Sequence, residues 1–191
     1  MTEDQLVKKI KHKDREAFRM LVEQYQVRIR NTCFGFVRNK EDAEDVAQEV
    51  FIEVYRSIHK FREDAKLSTW IYRIAVNKSL NFIRSKKRSI WGHLFQNRKL
   101  ENSAEVPEEI ITEEAGPLEK MEKEEDLQLL QESLEALPEN QKIAYVLHKI
   151  EELPYKEIAN VMDVSLSSVE SLIFRANKNM KSRLFKKMQK K

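Results

Sequence analysis

Apolar residues recur at three- and four-residue steps along most of the chain, a pattern that predicts helices almost throughout. Thr2 followed by Gln5 has capping-box spacing, with a short stripe of Leu6, Val7 and Ile10 behind it. Asp14 opens a longer helix whose stripe runs Phe18, Leu21, Val22, Tyr25, Ile29, Cys33, Phe36 and Val37. A third helix, from about Asp42 to Ile58, carries Val46, Ala47, Val50, Phe51, Val54, Tyr55 and Ile58. A fourth, from about Leu67 to Arg84, offers Leu67, Ile71, Ile74, Ala75, Leu80 and Ile83. Between them Lys60 to Lys66 is polar and reads as a loop, and Ser68 and Thr69 stand near the start of the next helix. These elements predict a helical bundle of roughly 90 residues, a size at which one core is feasible.

From about Gly92 to Met121 the periodicity fails. Gly92, Gly116, Pro107 and Pro117 fall there among many glutamates, the composition of a flexible linker. Helical spacing returns near Glu122. Leu127, Leu130, Leu134 and Leu137 mark one helix, Pro138 suits the first turn of the next, and Ile143, Val146, Leu147 and Ile150 give that helix its buried stripe. Pro154 begins a short helix over Tyr155 to Met162, Asp163 and Val164 make a turn, and Ser165 is a good N-cap for a last helix bearing Leu166, Val169, Leu172, Ile173 and Ala176. This is helix-turn-helix spacing, with a small residue, Ala159, where the two helices cross; the second would enter a DNA major groove. No β pattern competes. The expectation is therefore an all-α chain of two small helical domains, 1–91 and 122–191, joined by a flexible acidic linker at 92–121.

Composition sharpens this reading. The 191 residues are 35% charged and 41% hydrophobic, as in a soluble globular protein, and the net charge of +3 says less than its distribution. Glu101 to Asp126 holds eleven acids against Lys120 and Lys123, whereas Arg175 to Lys191 holds eight bases and no acid. Such asymmetry suits nucleic-acid-facing ends, although charge runs also serve simply as solvated helix faces. The single cysteine, Cys33, excludes an internal disulfide and fits a reducing cytoplasm. The N-terminus lacks a signal-peptide pattern, and the longest apolar run, Ile143 to Leu147, is far too short to span a membrane. His12, His59, His93 and His148 are scattered, so no metal site is expected. With no phosphate-cradling glycine loop and no nucleophile constellation, an enzyme, a cofactor and a small-molecule substrate find no support.

The stretch from Glu41 to Arg84 changes character halfway. Glu41, Asp42, Glu44, Asp45, Glu49 and Glu53 come without a base among them, which suits a protein partner or plain solvent and not DNA. Phe61, Arg62, Lys66, Trp70, Tyr72, Arg73, Lys78, Phe82, Arg84, Lys86, Lys87 and Arg88 then mix cations with aromatics. Cations track phosphates and aromatic faces receive unstacked bases. On pattern alone Trp70 fits the core more readily than a base stack, and Asn77 is an ordinary solvated helix residue.

Asp42-Ala43-Glu44-Asp45-Val46-Ala47-Gln48-Glu49-Val50-Phe51, Ser68-Thr69-Trp70-Ile71-Tyr72-Arg73-Ile74-Ala75-Val76-Asn77, Leu137-Pro138-Glu139, Tyr155-Lys156-Glu157-Ile158-Ala159 and Phe174-Arg175-Ala176 together resemble the extracytoplasmic-function sigma factors, group IV of the bacterial sigma-70 family. The match runs through both helical units in order. It implies that Asp42, Asp45, Gln48, Glu49 and Glu53 dock on the clamp helices of the largest subunit of core RNA polymerase. It further implies that Phe61, Arg62, Asp64, Lys66, Trp70, Arg73, Asn77, Lys78 and Arg84 recognise and open the minus-ten promoter element, with the loop from Phe61 to Lys66 as a pocket for a flipped base. Ser167, Ser168, Glu170, Ser171, Phe174, Arg175 and Lys178 would read the minus-thirty-five duplex while the same unit touches the polymerase flap. An anti-sigma factor is the further partner that the resemblance implies.

Two departures from the family pattern stand out. Glu170 and Leu172 occupy positions where the family often has bases, leaving Glu170 to accept from a cytosine amino group. Glu63 stands where a glycine is common, which bears on the shape of the loop. The rival reading is a stand-alone helix-turn-helix repressor or activator with a dimerising or ligand-sensing N-terminal bundle; such a protein has no need of an acidic helix joined to an aromatic, basic one.

Overall fold

The computed structural model describes residues 2–62, 64–96 and 128–188. Among them there are helices and no strands. In chain order they are α1 (Glu3–Lys11), α2 (Arg15–Val37), α3 (Lys40–Ser57), a short 3-10 turn (Ile58–Lys60), α4 (Leu67–Gln96), α5 (described over 128–135), α6 (Glu139–Lys149), α7 (Tyr155–Met162) and α8 (Leu166–Met188).

The starts follow from local hydrogen bonding. Thr2 Oγ1 accepts from the Gln5 amide while Gln5 Oε1 accepts from the Thr2 amide, a complete capping box. Asp14 accepts from the Glu16 and Ala17 amides to start α2. Asn39 accepts from the Asp42 amide at 2.8 Å, so α3 begins two residues before the expected Asp42. The fourth helix also outruns its expected end: its apolar stripe stops near Arg84, but Lys86, Lys87 and Arg88 are good helix formers with no proline among them, and α4 continues to Gln96. It thereby takes in the first five positions of the segment read as a linker, 92–96; the rest of that segment, and the expected start of the last unit at 122–127, lie outside the described residues.

Two layers of packing result. In the N-terminal bundle α2, α3 and α4 enclose Leu21, Ile29, Cys33, Val50, Val54, Leu67 and Ile71, with α1 laid across one end through Leu6, Val7 and Ile10. Full burial of each large aliphatic side chain contributes about 1.5–3 kcal/mol, so this core carries the bundle. In the C-terminal unit α6, α7 and α8 bury Ala144, Leu147, Ile158, Val169, Ile173 and Ala176. The turn between α7 and α8 has Asp163 in the left-handed region (φ 55°), and Ser165 Oγ accepts from the Ser168 amide, the expected cap. Ala159 is buried at the α7–α8 crossing.

The two units lie against one another. α6 packs on α2 and α7 on α4. At Gly35 in α2 the contact leaves no room for a side chain: a Cβ would stand 2.6 Å from Ile150 Cδ1 and 2.8 Å from Val146 Cγ1.

Candidate functional site

The acids of α3 divide between its two edges. Residues 42, 49 and 53 fall on one side at helical spacing, and that side faces α4. Asp42 pairs with Lys86 at 2.6 Å, and Lys78 lies 3.4 Å from both Glu49 and Glu53. The acidic and basic halves of the Glu41–Arg84 stretch are thus ion-paired neighbours on one bundle. Exposed pairs of this kind contribute about 0–1 kcal/mol each, so they leave the carboxylates open to other partners.

The other edge of α3 presents Glu44, Ala47, Gln48 and Phe51 to Val22, Gln26, Val27 and Arg30 of α2 across a groove of about 360 Å³. Val27 (54% exposed) and Ile52 (42%) add apolar surface on these two helices, as do Met20 and Tyr55. Asp45 and Gln48 are both exposed. The α2 side of this groove does not follow from the apolar stripe of α2, which marks only its core face. The available signal was Val27 and Ile52, large apolar residues lying off the buried stripes.

In the loop after α3, Phe61 is only 5% exposed, with its ring centroid 5.4 Å from that of half-buried Trp70. This corrects the reading of Phe61 as a ring offered to DNA: the loop's first aromatic turns into the core, where its burial outweighs anything an exposed ring would gain. Arg62, Asp64 and Lys66 are exposed, as is Asn77 on α4, about two turns beyond Trp70. Tyr72 is buried.

Several bases read as phosphate ligands meet the C-terminal unit. Lys66 Nζ pairs with Glu157 at 2.5 Å, and Arg84 Nη2 with Glu139 at 2.7 Å. Arg73 donates to the Asn160 carbonyl and lies 4.0 Å from Asp163. Oxygens of α6, α7 and the turn after it thus occupy these three bases. A gap of about 380 Å³ remains between the units, lined by Arg73, Asn77 and Arg84 on one side and Glu139, Asn140 and Asp163 on the other.

Deeper in this contact lie two charged groups that the sequence did not single out. Lys142 is buried, donates at 2.9 Å to the Phe36 carbonyl at the C-terminal end of α2, and is pushed down to about 8 by burial. Glu151 accepts from the Tyr72 hydroxyl at 3.1 Å through Oε2, while its Oε1 is buried without a hydrogen-bond partner; burial raises its carboxyl. In sequence both look like ordinary polar residues beside an apolar stripe. Both lie where the C-terminal unit meets the bundle, Lys142 against α2 and Glu151 against α4.

The α8 residues expected to read duplex DNA lie mostly at the surface. Ser167, Glu170, Ser171, Phe174, Arg175 and Lys178 are exposed and Ser168 is half-buried. Phe174 is 70% exposed, an unusual position for an aromatic, and Arg175 Nε donates to the Ser171 carbonyl. Leu172 packs against the core, so its difference from the family pattern costs no surface contact. Among the described residues no group of His, Cys, Asp and Glu could hold a metal ion, and no helix is long and apolar enough to cross a membrane. Cys33 is fully buried, its thiol pushed up to about 11 by burial.

Comparison with known proteins agrees with this layout. Sigma-70 region 2 matches residues 21–89, and Sigma-70, region 4 matches residues 127–180. ECF RNA polymerase sigma-E factors of Escherichia coli K12 and Salmonella typhimurium LT2 are each 33% identical over 183 residues, 92% of this chain and 91% of theirs. That of Haemophilus influenzae is 31% identical over 192 residues, 96% of each. The fold is shared with CnrH, solved in complex with the cytosolic domain of CnrY (TM-score 0.65, 21% identity, 95% of this chain and 96% of that one). It is shared too with the sigma factor RpoE of Bartonella quintana, solved with the anti-sigma factor NepR (TM-score 0.64, 18% identity, 87% and 96%). Both matched regions coincide with the two helical units, and the identity extends over nine-tenths of the chain. The chain belongs to the extracytoplasmic-function branch of the sigma-70 family and is an RNA polymerase sigma factor of promoter-specific transcription initiation.

Proposed function

We propose that the N-terminal bundle docks on core RNA polymerase through the α2–α3 groove and α3, with Gln48 and Asp45 at its centre and Glu49 at its edge. On this reading the base-bearing edge of α4 holds the opened minus-ten strand. Arg73, Lys78 and Arg84 take phosphates, Asn77 meets a base edge, and the loop of Arg62, Asp64 and Lys66 beside Trp70 receives a flipped base. Flipping costs a few kcal/mol per base, recovered from such contacts without ATP. α8 reads the minus-thirty-five duplex with Ser167, Ser168, Glu170, Ser171, Phe174, Arg175 and Lys178. The observation that supports the reading is the ion-paired contact of α3 with α4, which joins the acidic helix and the basic, aromatic one in a single bundle.

The two units must part for this work. Promoter elements about 25 base pairs apart are separated by roughly 85 Å along the duplex at ~3.4 Å per pair. Arg73 of the strand-facing edge touches Asn160 of the helix-turn-helix, so one arrangement cannot serve both elements. An anti-sigma factor that favours the closed arrangement fits the chain as a partner, supported by the complex in which the Bartonella quintana RpoE was solved with the anti-sigma factor NepR. The chain would act in the cytoplasm, where polymerase is.

A tagged copy of the chain expressed in its host should retain the core polymerase subunits, and Gln48→Ala with Val27→Asp should lose them. A folded chain that retains no polymerase would overturn the reading.

A further inference from the structure

The loop assigned above to the flipped base is held at both ends by a helix outside it. At its start, Lys11 Nζ donates to the Phe61 carbonyl at 3.0 Å. At its end, the Leu67 amide donates to Glu3 Oε1 at 2.9 Å. Leu67 opens α4, so its amide is one of the first-turn donors with no acceptor inside the helix, and a carboxylate there also meets the positive end of the helix dipole. Glu3 and Lys11 sit at opposite ends of α1, which is fixed by Leu6, Val7 and Ile10 in the bundle core. Phe61 and Leu67 are themselves buried, while Arg62, Asp64 and Lys66 between them are exposed. A surface loop normally has freedom to vary its path. Here one rigid strut sets where the exposed stretch begins and where it stops.

We infer that α1 is a splint for the base-reading loop, with Glu3 and Lys11 as positioning residues that set its base preference without touching DNA. The inference rests on the proposed role of the loop. Recognition of a flipped base needs its hydrogen-bonding groups held to within a fraction of an ångström, because a loosened pocket loses the difference between right and wrong bases before it loses general affinity. Releasing either end of the loop therefore lowers discrimination first.

The test uses holoenzyme assembled from core polymerase and the full chain, with initiation measured on four templates that differ only at the loop-read base of the non-template strand. Wild type is expected to prefer one base. Glu3→Ala and Lys11→Met should each lower the ratio of best to second-best base at least threefold, and the double variant further. Affinity for core polymerase and for a minus-thirty-five duplex should stay within twofold. Glu3→Gln, which keeps an acceptor oxygen, and Lys11→Arg, which keeps a donor, should restore most of the ratio. A uniform fall on all four templates with the ratio intact would overturn the splint and leave α1 as packing alone. Wild type showing no preference among the four bases would overturn the role of the loop itself, and the splint with it.

Discussion

Arg73 donates through both Nε and Nη2 to the main-chain carbonyl of Asn160, at 3.1 and 2.6 Å. A guanidinium fork suited to a phosphate is thus occupied by the helix-turn-helix unit. The carbonyl is neutral, whereas a phosphate would give the same fork an ionised acceptor and hence the stronger pair, so on the proposed reading DNA should displace this contact once the strand is in reach.

The ion pairs around Arg73 add little to the closed arrangement. Lys66–Glu157 and Arg84–Glu139 are exposed, worth about 0–1 kcal/mol each. Glu139→Ala or Glu157→Ala alone should change the ratio of closed to open chain by less than about fivefold. Energy transfer between dyes on cysteines introduced at exposed sites of α3 and α8 reads this directly, since buried Cys33 stays unlabelled. A collapse of transfer in either single variant would show that the surface pairs, and not the apolar contact beneath them, hold the units together.

Gly35 is where a small change should open the molecule. Alanine is favoured over glycine in a helix interior by about 1 kcal/mol, so Gly35→Ala should raise the unfolding midpoint of the bundle. Its methyl nevertheless collides with Ile150 and Val146 of the other unit. Gly35→Ala is expected to lower the transfer signal while stabilising the N-terminal bundle, and Gly35→Leu to lower it more. Unchanged transfer in Gly35→Leu would contradict close packing at this point.

Closure should depend on pH through Lys142 and Glu151. Burial holds Lys142 down to about 8, opposed by Glu135 and reinforced by Arg38 and Lys87; separation returns it toward 10.5. A lysine lowered in the closed state releases a proton on closing, so closure strengthens as pH rises from about 8 toward 10.5. Burial raises Glu151, opposed by Thr32, Tyr72 and Arg28, and separation returns it toward 4.5. A raised carboxyl takes up a proton on closing, so closure strengthens as pH falls through its raised value. Both groups penalise closure near neutrality. Energy transfer should therefore be lowest there and rise on either side, with Lys142→Met flattening the alkaline limb and Glu151→Gln the acid limb. A flat profile in the wild type would remove this coupling.

Much of this molecule is legible in its sequence because helices declare themselves locally. The stripe from Phe18 to Val37, the Thr2–Gln5 box and the Ser165 cap each need only a few neighbouring residues to be read. The α3 start at Lys40 was displaced because Asn39, outside the apolar pattern, makes the cap. The burial of Phe61 is not legible in sequence because an aromatic beside cations suits a base stack and a core equally; only its packing on Trp70 decides. What no local pattern carries is contact between the units. Lys142 and Glu151 become special through docking of the C-terminal unit on the bundle, and Glu3 and Lys11 through the path of a loop some fifty residues away.

On α8, Lys178 and Glu170 should behave differently. Lys178→Ala should weaken minus-thirty-five binding about equally on all sequences and reduce the salt slope by roughly 1, as loss of a phosphate contact does. Glu170→Ala should relax preference at one base pair by about 1–3 kcal/mol. Equal effects on every sequence from Glu170→Ala would move that residue off the base edges.

On the proposed mechanism this chain opens promoter DNA with the edge of α4 that its own helix-turn-helix covers in the closed arrangement. Permanganate reactivity of minus-ten thymines tests it most directly, on a promoter fragment selected by the reconstituted holoenzyme. With core polymerase and the wild-type chain those thymines should become reactive. With Asn77→Ala they should remain largely protected while the polymerase stays bound. Normal reactivity with Asn77→Ala, or no reactivity with a wild-type holoenzyme that binds the fragment, would contradict the account.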